Sequence, residues 1–301
     1  MCLIQAIVKL HKYWCGLGDK KRDEPSTSTS PTDSLTNEKI IELFKTCPAI
    51  YTTPFLQRRV VRIAPDTVVK CYSGITPAEV MTMRLVQSQT TIPVPAVRRV
   101  FKSDAEDDYV VMEYVEGETL YTCWEKLTIW TKVKIACKLW WYIQQLRAVR
   151  TKDVETPGPI DGGPCDGNFF TIYGAGPFQT YSEMSAWFAH MLSVSHRMKK
   201  APLDTPPFDD TKPLVLTHQD LHMQNIILGS DGRLWLIDWG QAGFYPIWFE
   251  YASMNACPEP PPRDWRFITR FVAGRYRKQA QFMASIAWAL SYGYQLFTYL
   301  K

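Results

Sequence analysis

Thr217-His218-Gln219-Asp220-Leu221-His222-Met223-Gln224-Asn225 is the stretch of this 301-residue chain that decides its fold. Twelve residues after Asn225 comes Ile237-Asp238-Trp239-Gly240. Short apolar runs at 214–216, 226–228 and 234–237 flank both segments. Such runs read as strands, so the backbone can hold each polar group in a fixed place. The five-residue step from Asp220 to Asn225 lets one tight loop aim a carboxylate and an amide into one cavity. Gly240 lets the chain turn away closely after Asp238.

This set matches the needs of phosphoryl transfer. One carboxylate must orient the acceptor hydroxyl and take its proton. A second carboxylate and an amide oxygen must hold magnesium against the phosphates, and a lysine must hold the α- and β-phosphates. Asp220 fits the first role, Asn225 the amide and Asp238 the second carboxylate.

The sequence resembles the aminoglycoside phosphotransferase family, which has a protein-kinase-like fold. THQDLHMQNIIL (217–228) looks like that family's catalytic loop, and IDWG (237–240) like its metal-binding motif. Val68-Val69-Lys70 resembles the strand that carries the ATP-binding lysine. Glu79 stands where the family's helix glutamate pairs with that lysine. IPVP (92–95) and Val111-Met112-Glu113-Tyr114-Val115-Glu116-Gly117 resemble the following loop and the interlobe hinge. AGFYPIWFEY (242–251) is similar to a form common in fungal members. The match covers roughly residues 58–251, with five motifs in the right order.

The resemblance implies an ATP- and magnesium-dependent enzyme that moves the γ-phosphate to a hydroxyl of a small molecule. Asp220 would be the catalytic base, and Asn225 and Asp238 the metal ligands. Lys70, positioned by Glu79, would hold the phosphates, and the backbone of Glu113 to Val115 would bind the adenine. Taken singly, the residues have plainer readings: Lys70 as a solvent-facing strand lysine, Glu79 as a first-turn helix carboxylate, His218 as a structural loop residue. The alternatives to the enzyme are a non-catalytic kinase-like nucleotide-binding or interaction module and a protein kinase.

Outward from the motifs, the pattern predicts an α+β fold in two lobes. Residues 38–45 and 77–89 read as helices, and 58–63, 67–72, 97–101 and 109–114 as strands of a small antiparallel sheet. From about residue 120 the helical period takes over, at 129–147, 181–196 and from 248 onward. The expected organisation is an N-terminal segment and linker (1–37), a nucleotide-binding lobe with its hinge (38–117) and a larger helical catalytic lobe (118–301).

Composition narrows the classes. With 46% hydrophobic residues the chain is too apolar to be disordered, and a net charge of +4 is no nucleic-acid footprint. Ten of the fourteen residues 24–37 are Ser, Thr or Pro, which predicts a flexible linker. Leu3, Ile7, Leu10 and Trp14 share one helical face, and no basic residue precedes the apolar run at 2–8, so it reads poorly as a secretory signal. Residues 279–300 carry no charge. Their polar side chains fall within an arc of about 140°, which predicts a packed helix and no membrane span. The eight cysteines form no C-x-x-C pair and read as reduced thiols of a cytoplasmic protein.

Two features bear on the substrates. The turn expected over the phosphates, YTTPFLQ (51–57), has no glycine, unlike the glycine-rich loop of protein kinases. Gln219 and Met223 stand where the family often has a small residue or proline, with little expected consequence. Only eleven residues separate Asp238 from Glu250, too few for the peptide platform of a protein kinase. A small-molecule hydroxyl acceptor is therefore favoured. Residues 263–301 carry seven bases and one acid, and if those helices line the acceptor site they would repel a polycationic aminoglycoside.

Overall fold

A computed structural model describes residues 30–52, 59–73, 77–103, 107–151, 155–255 and 261–293. Helix α1 (Asn37–Thr46) starts at Thr36, whose hydroxyl accepts the N–H of Lys39. Then follow β1 (Ala49–Thr52), β2 (Arg59–Ala64), β3 (Thr67–Ser73), α2 (Pro77–Gln89), β4 (Val97–Lys102) and β5 (Asp107–Glu113). The five strands form one antiparallel sheet in the order β1-β2-β3-β5-β4.

Strand alternation sets the two faces of this sheet. Val69 and Cys71 of β3 and Tyr109 and Val111 of β5 join Ile40 and Phe44 of α1 on one side. Val68, Val110 and Met112 point the other way and pack on Val80, Met83 and Val86 of α2. Lys70 shares that second side, which is the side of the helical lobe. It is buried, so the plainer reading of a solvent-facing lysine does not hold.

The stretch predicted as a linker is corrected in its last part. Ser30 and Thr32 are buried, with their hydroxyls 3.3 and 3.0 Å from Thr67 Oγ1. Arg99 donates to the carbonyls of Asp33 and Leu35. Small hydroxyls that satisfy one another can be buried as a group, so a polar composition did not prevent packing. The helical pattern at residues 3–14 lies outside the described residues, as does most of the 51–57 turn.

The second lobe holds β6 (Gly117–Thr119), a one-turn α3 (Leu120–Cys123), α4 (Ile129–Ala148), α5 (Tyr181–Arg197), β7 (Leu214–Thr217), β8 (Ile226–Gly229), β9 (Leu234–Leu236), β10 (Gly243–Pro246), α6 (Phe249–Asn255), α7 (Arg263–Val272) and α8 (Arg277–Trp288). Its strands pair as β6-β8-β9 and β7-β10, all antiparallel. One core runs from Val68 and Met83 through Leu139, Leu216 and Trp239 to Trp265, and so joins the two lobes. A second core is aromatic: Phe188 stacks on Phe208 at 4.5 Å, amid Phe170, Trp248, Phe249 and Phe282. Packing accounts for much of the aromatic excess.

Helix α8 buries Phe282, Met283 and Ile286 and continues as a wider π turn, Ala289–Gly293. Among the described residues no helix is long and apolar enough to cross a membrane. Cys47, Cys71, Cys123, Cys137 and Cys165 are free thiols.

Candidate active site

Three separate segments meet at Lys70. Its Nζ donates to Glu79 Oε1 at 2.9 Å and Oε2 at 3.2 Å, and to Asp238 Oδ1 at 2.7 Å. Strand β3 points Lys70 inward and the first turn of α2 brings Glu79 beneath it. Burial alone would lower the lysine's pKa, but the Asp238 and Glu79 carboxylates outweigh it and hold the ammonium above its ordinary range. Asp238 sits just past β9 with φ 63°, a left-handed backbone that aspartate tolerates better than most residues. A Cβ on Gly240 would lie 3.6 Å from Asp238 Oδ1 and 3.7 Å from Glu79 Oε2, so the chain passes close under the cluster.

The loop between β7 and β8 positions Asp220 and Asn225. The Asn225 Nδ2 group donates to Asp220 O at 2.9 Å and to Asp220 Oδ2 at 3.0 Å, and His222 Nε2 lies 3.3 Å from it. Among the described residues no hydrogen bond reaches Asn225 Oδ1, and that oxygen remains for a cation. An amide oxygen and the Asp238 carboxylate are hard donors of the kind magnesium takes. Burial raises the Asp220 pKa, and nearby Asp238 adds to it while His222 and Asn225 act against it. His222 Nδ1 accepts the N–H of Gln224, so its Nε2–H faces Asp220 Oδ1 at 3.5 Å.

His218 is fully buried and braces this loop. Its Nδ1 accepts the Asp220 N–H at 3.3 Å and its Nε2–H donates to Ile237 O at 3.0 Å. The ring thereby ties the Asp220 loop to the strand end before Asp238, and it packs on Trp239 at 4.5 Å. Burial pushes its pKa down to about 4, so it is neutral near pH 7. Its backbone N–H donates to Glu250 Oε2 at 2.7 Å. Burial pushes the Glu250 carboxyl up to about 7.

Gln219 has a consequence its place in the motif did not suggest. It is 1% exposed with φ 61°, one residue before Asp220. A left-handed non-glycine residue costs on the order of 1–2 kcal/mol and persists only where its surroundings hold it.

At the hinge, the Glu113 N–H donates to Ala96 O and the Glu113 carboxylate accepts the Ala96 N–H. Val115 is buried, and among the described residues its backbone makes no hydrogen bond. Gly117 starts β6 at the point where a Cβ would meet Leu228 O at 2.3 Å. Two site residues escaped sequence reasoning. Asn168 Nδ2 donates to Asp220 Oδ1 at 3.3 Å, and Gln241 Oε1 accepts the Asn168 N–H at 3.2 Å. No motif signals Asn168, which lies 52 residues from Asp220 in the insert between α4 and α5.

The family model described as the phosphotransferase enzyme family, APH, matches residues 51–275. The chain belongs to that family. This phosphotransferase is similar in fold to APH(2'')-IIa solved with streptomycin and ATP, with 14% identity and a TM-score of 0.54 over 83% of this chain and 86% of that one. It is also similar to APH(4)-Ia, with 17% identity and a TM-score of 0.53 over 87% and 92%. A third structure is the spectinomycin phosphotransferase APH(9)-Ia with ADP and spectinomycin, with 14% identity and a TM-score of 0.53 over 88% and 89%. No curated protein matches the sequence. The phosphotransferase therefore has the two-lobed, kinase-like α+β fold that its motifs implied.

Proposed function

We propose that this phosphotransferase moves the γ-phosphate of ATP to a hydroxyl of a small molecule. The observation that carries the reading is the convergence of Lys70, Glu79 and Asp238 in one cluster, beside the loop that joins Asp220 to Asn225. Val115, with a backbone free of other hydrogen bonds among the described residues, would meet the adenine at the hinge. The bonds that Ala96 makes to Glu113 leave that side chain a structural part. Lys70 would hold the α- and β-phosphates, locked in place by Glu79.

Asn225 Oδ1 and Asp238 would hold magnesium, which supplies charge neutralisation on the phosphate oxygens when bound. Asp220 would accept the hydrogen bond of the acceptor hydroxyl and take its proton. The new bond joins the acceptor oxygen to the γ-phosphorus, the bond from that phosphorus to the bridging oxygen breaks, and ADP leaves. His218, neutral and without a free ring nitrogen, braces the loop and is not the base.

The acceptor is a small molecule in this reading because β10 and α6 follow Asp238 directly. β10 is paired along its whole length with β7, so the segment just after Asp238 is not free to cradle a peptide. The free thiols of Cys47, Cys71, Cys123, Cys137 and Cys165 are in keeping with a cytoplasmic setting. The test is a screen of hydroxyl-bearing metabolites with γ-labelled ATP and magnesium. Label transfer that needs both Asp220 and Asp238 supports the reading. Label found only on serine, threonine or tyrosine of added proteins contradicts it.

A further inference from the structure

The insert between α4 and α5 carries a loop closed by a backbone bridge. Cys165 N–H donates to Ala175 O at 2.7 Å, and Ala175 N–H to Cys165 O at 2.9 Å. Phe169 and Phe170 are buried in the aromatic core and pin the loop from below. Asn168, next to them, is exposed and reaches the other way. Its side-chain amide lies on Asp220 Oδ1, and its backbone N–H lies on Gln241 Oε1. Gln241 directly follows Gly240, in the segment that carries Asp238.

The neighbouring glycine makes this approach possible. Gly167 has φ +111°, and a Cβ there would lie 2.3 Å from Gln241 Oε1. Its N–H is held by Asp166 Oδ1 at 2.7 Å. The loop is thus seated by its own aspartate, by Gln241 and by the core.

We infer that Asn168 is a positioning residue for the Asp220 carboxylate, and that Gln241 and Gly167 set its place. The inference rests on the reading of Asp220 as the group that orients the acceptor. The last torsion of an aspartate is broad and nearly two-fold, so one hydrogen bond does not fix its carboxylate plane. Asn225 holds Oδ2 and Asn168 holds Oδ1, and together they fix it. His222 Nε2 lies farther from Oδ1, at 3.5 Å, on the side the acceptor hydroxyl would share.

The experiment measures hydrolysis of Mg-ATP by the full chain, with water as acceptor, alongside spectra of isotope-labelled aspartate carboxyls. N168A should lower kcat about 10-fold, with the KM for ATP within about twofold, since misplaced reacting groups slow chemistry without loosening the nucleotide. N168D keeps the shape but loses the donor, and should be no faster than N168A. N168S restores a short donor and should recover part of the rate. G167A, which pushes on Gln241, should resemble N168A. The carboxyl resonance that disappears in D220N should shift in N168A. A kcat within twofold of wild type in N168A and N168D, while D220N is inactive, would overturn the inference and leave the role of Asp220 intact. An unshifted Asp220 resonance in N168A overturns it without recourse to turnover. If D220N keeps its rate, the reading of Asp220 falls and this inference with it.

Discussion

Lys70 Nζ stands 2.7 Å from Asp238 Oδ1, across 168 residues of sequence. The first is on a strand of the small lobe and the second in the loop after β9 of the large one. The contact spans the two lobes, and Glu79 holds its small-lobe end.

Removing the lysine should therefore act twice. The Glu79 side chain is 4% exposed, and K70M would break its buried ion pair with Lys70. Breaking such a pair costs about 3–5 kcal/mol. Melting of K70M should show a clear fall in midpoint, and turnover should drop by roughly two orders of magnitude as a phosphate-stabilising charge is lost. E79Q keeps the shape, should melt closer to wild type, and should lose less activity than K70M.

Stability against pH offers a second check. Glu250 titrates at about 7 in the fold against 4.5 as its ordinary value, and the folded state therefore holds its proton longer. Its contribution is present below pH 4.5 and is lost as pH rises to about 7. His218 works the other way, with about 4 against 6.5. Its contribution is present above pH 6.5 and is lost as pH falls towards 4. Between those limits the two slopes oppose each other in the intact protein. E250Q should unmask the His218 slope, with denaturant midpoints that rise from pH 4 to 6.5. H218N should unmask the opposite slope, with midpoints that fall from pH 4.5 to 7. Parallel profiles for the two variants would count against the assigned shifts.

Gly117 tests the hinge. A Cβ there meets Leu228 O at 2.3 Å and the Gly229 Cα at 2.7 Å, both backbone atoms that cannot swing aside. G117A should force β6 away from β8 and cost about 1–3 kcal/mol, the usual price of overpacking. The same movement displaces Val115, so nucleotide affinity measured by calorimetry should weaken as well. A Gly-to-Ala change at Gly232, where nothing lies within 4 Å, is the control for space, though its φ of +75° brings some strain.

Much of this was legible in the residues. The β-rich run at 67–72 predicted a strand, and the structure has one over Thr67–Ser73, with Lys70 buried and not facing solvent. The helix pattern at 77–89 and the helix at 181–196 recur within a residue. The five-residue step from Asp220 to Asn225 implied one tight loop, and a hydrogen bond joins the two, while Asp238 pairs with Lys70. What was not legible came from tertiary pairing. β1, β6 and β10 are three or four residues long and exist because a neighbour strand pairs with them. Ser30 and Thr32 are ordered by Thr67, far along the chain. Asn168 has no spacing rule that ties it to Asp220, because a folded insert and not a local turn brings it there.

The central claim is that Asp220 takes part in the phosphoryl-transfer step while the nucleotide is held elsewhere. The most direct measurement compares D220A with wild type in two assays: Mg-ATP binding by calorimetry, and γ-phosphate release or transfer under saturating nucleotide. The account predicts a dissociation constant within about threefold of wild type and turnover lowered by at least about 100-fold. D220A with wild-type turnover, or one that has lost nucleotide binding along with turnover, would contradict it.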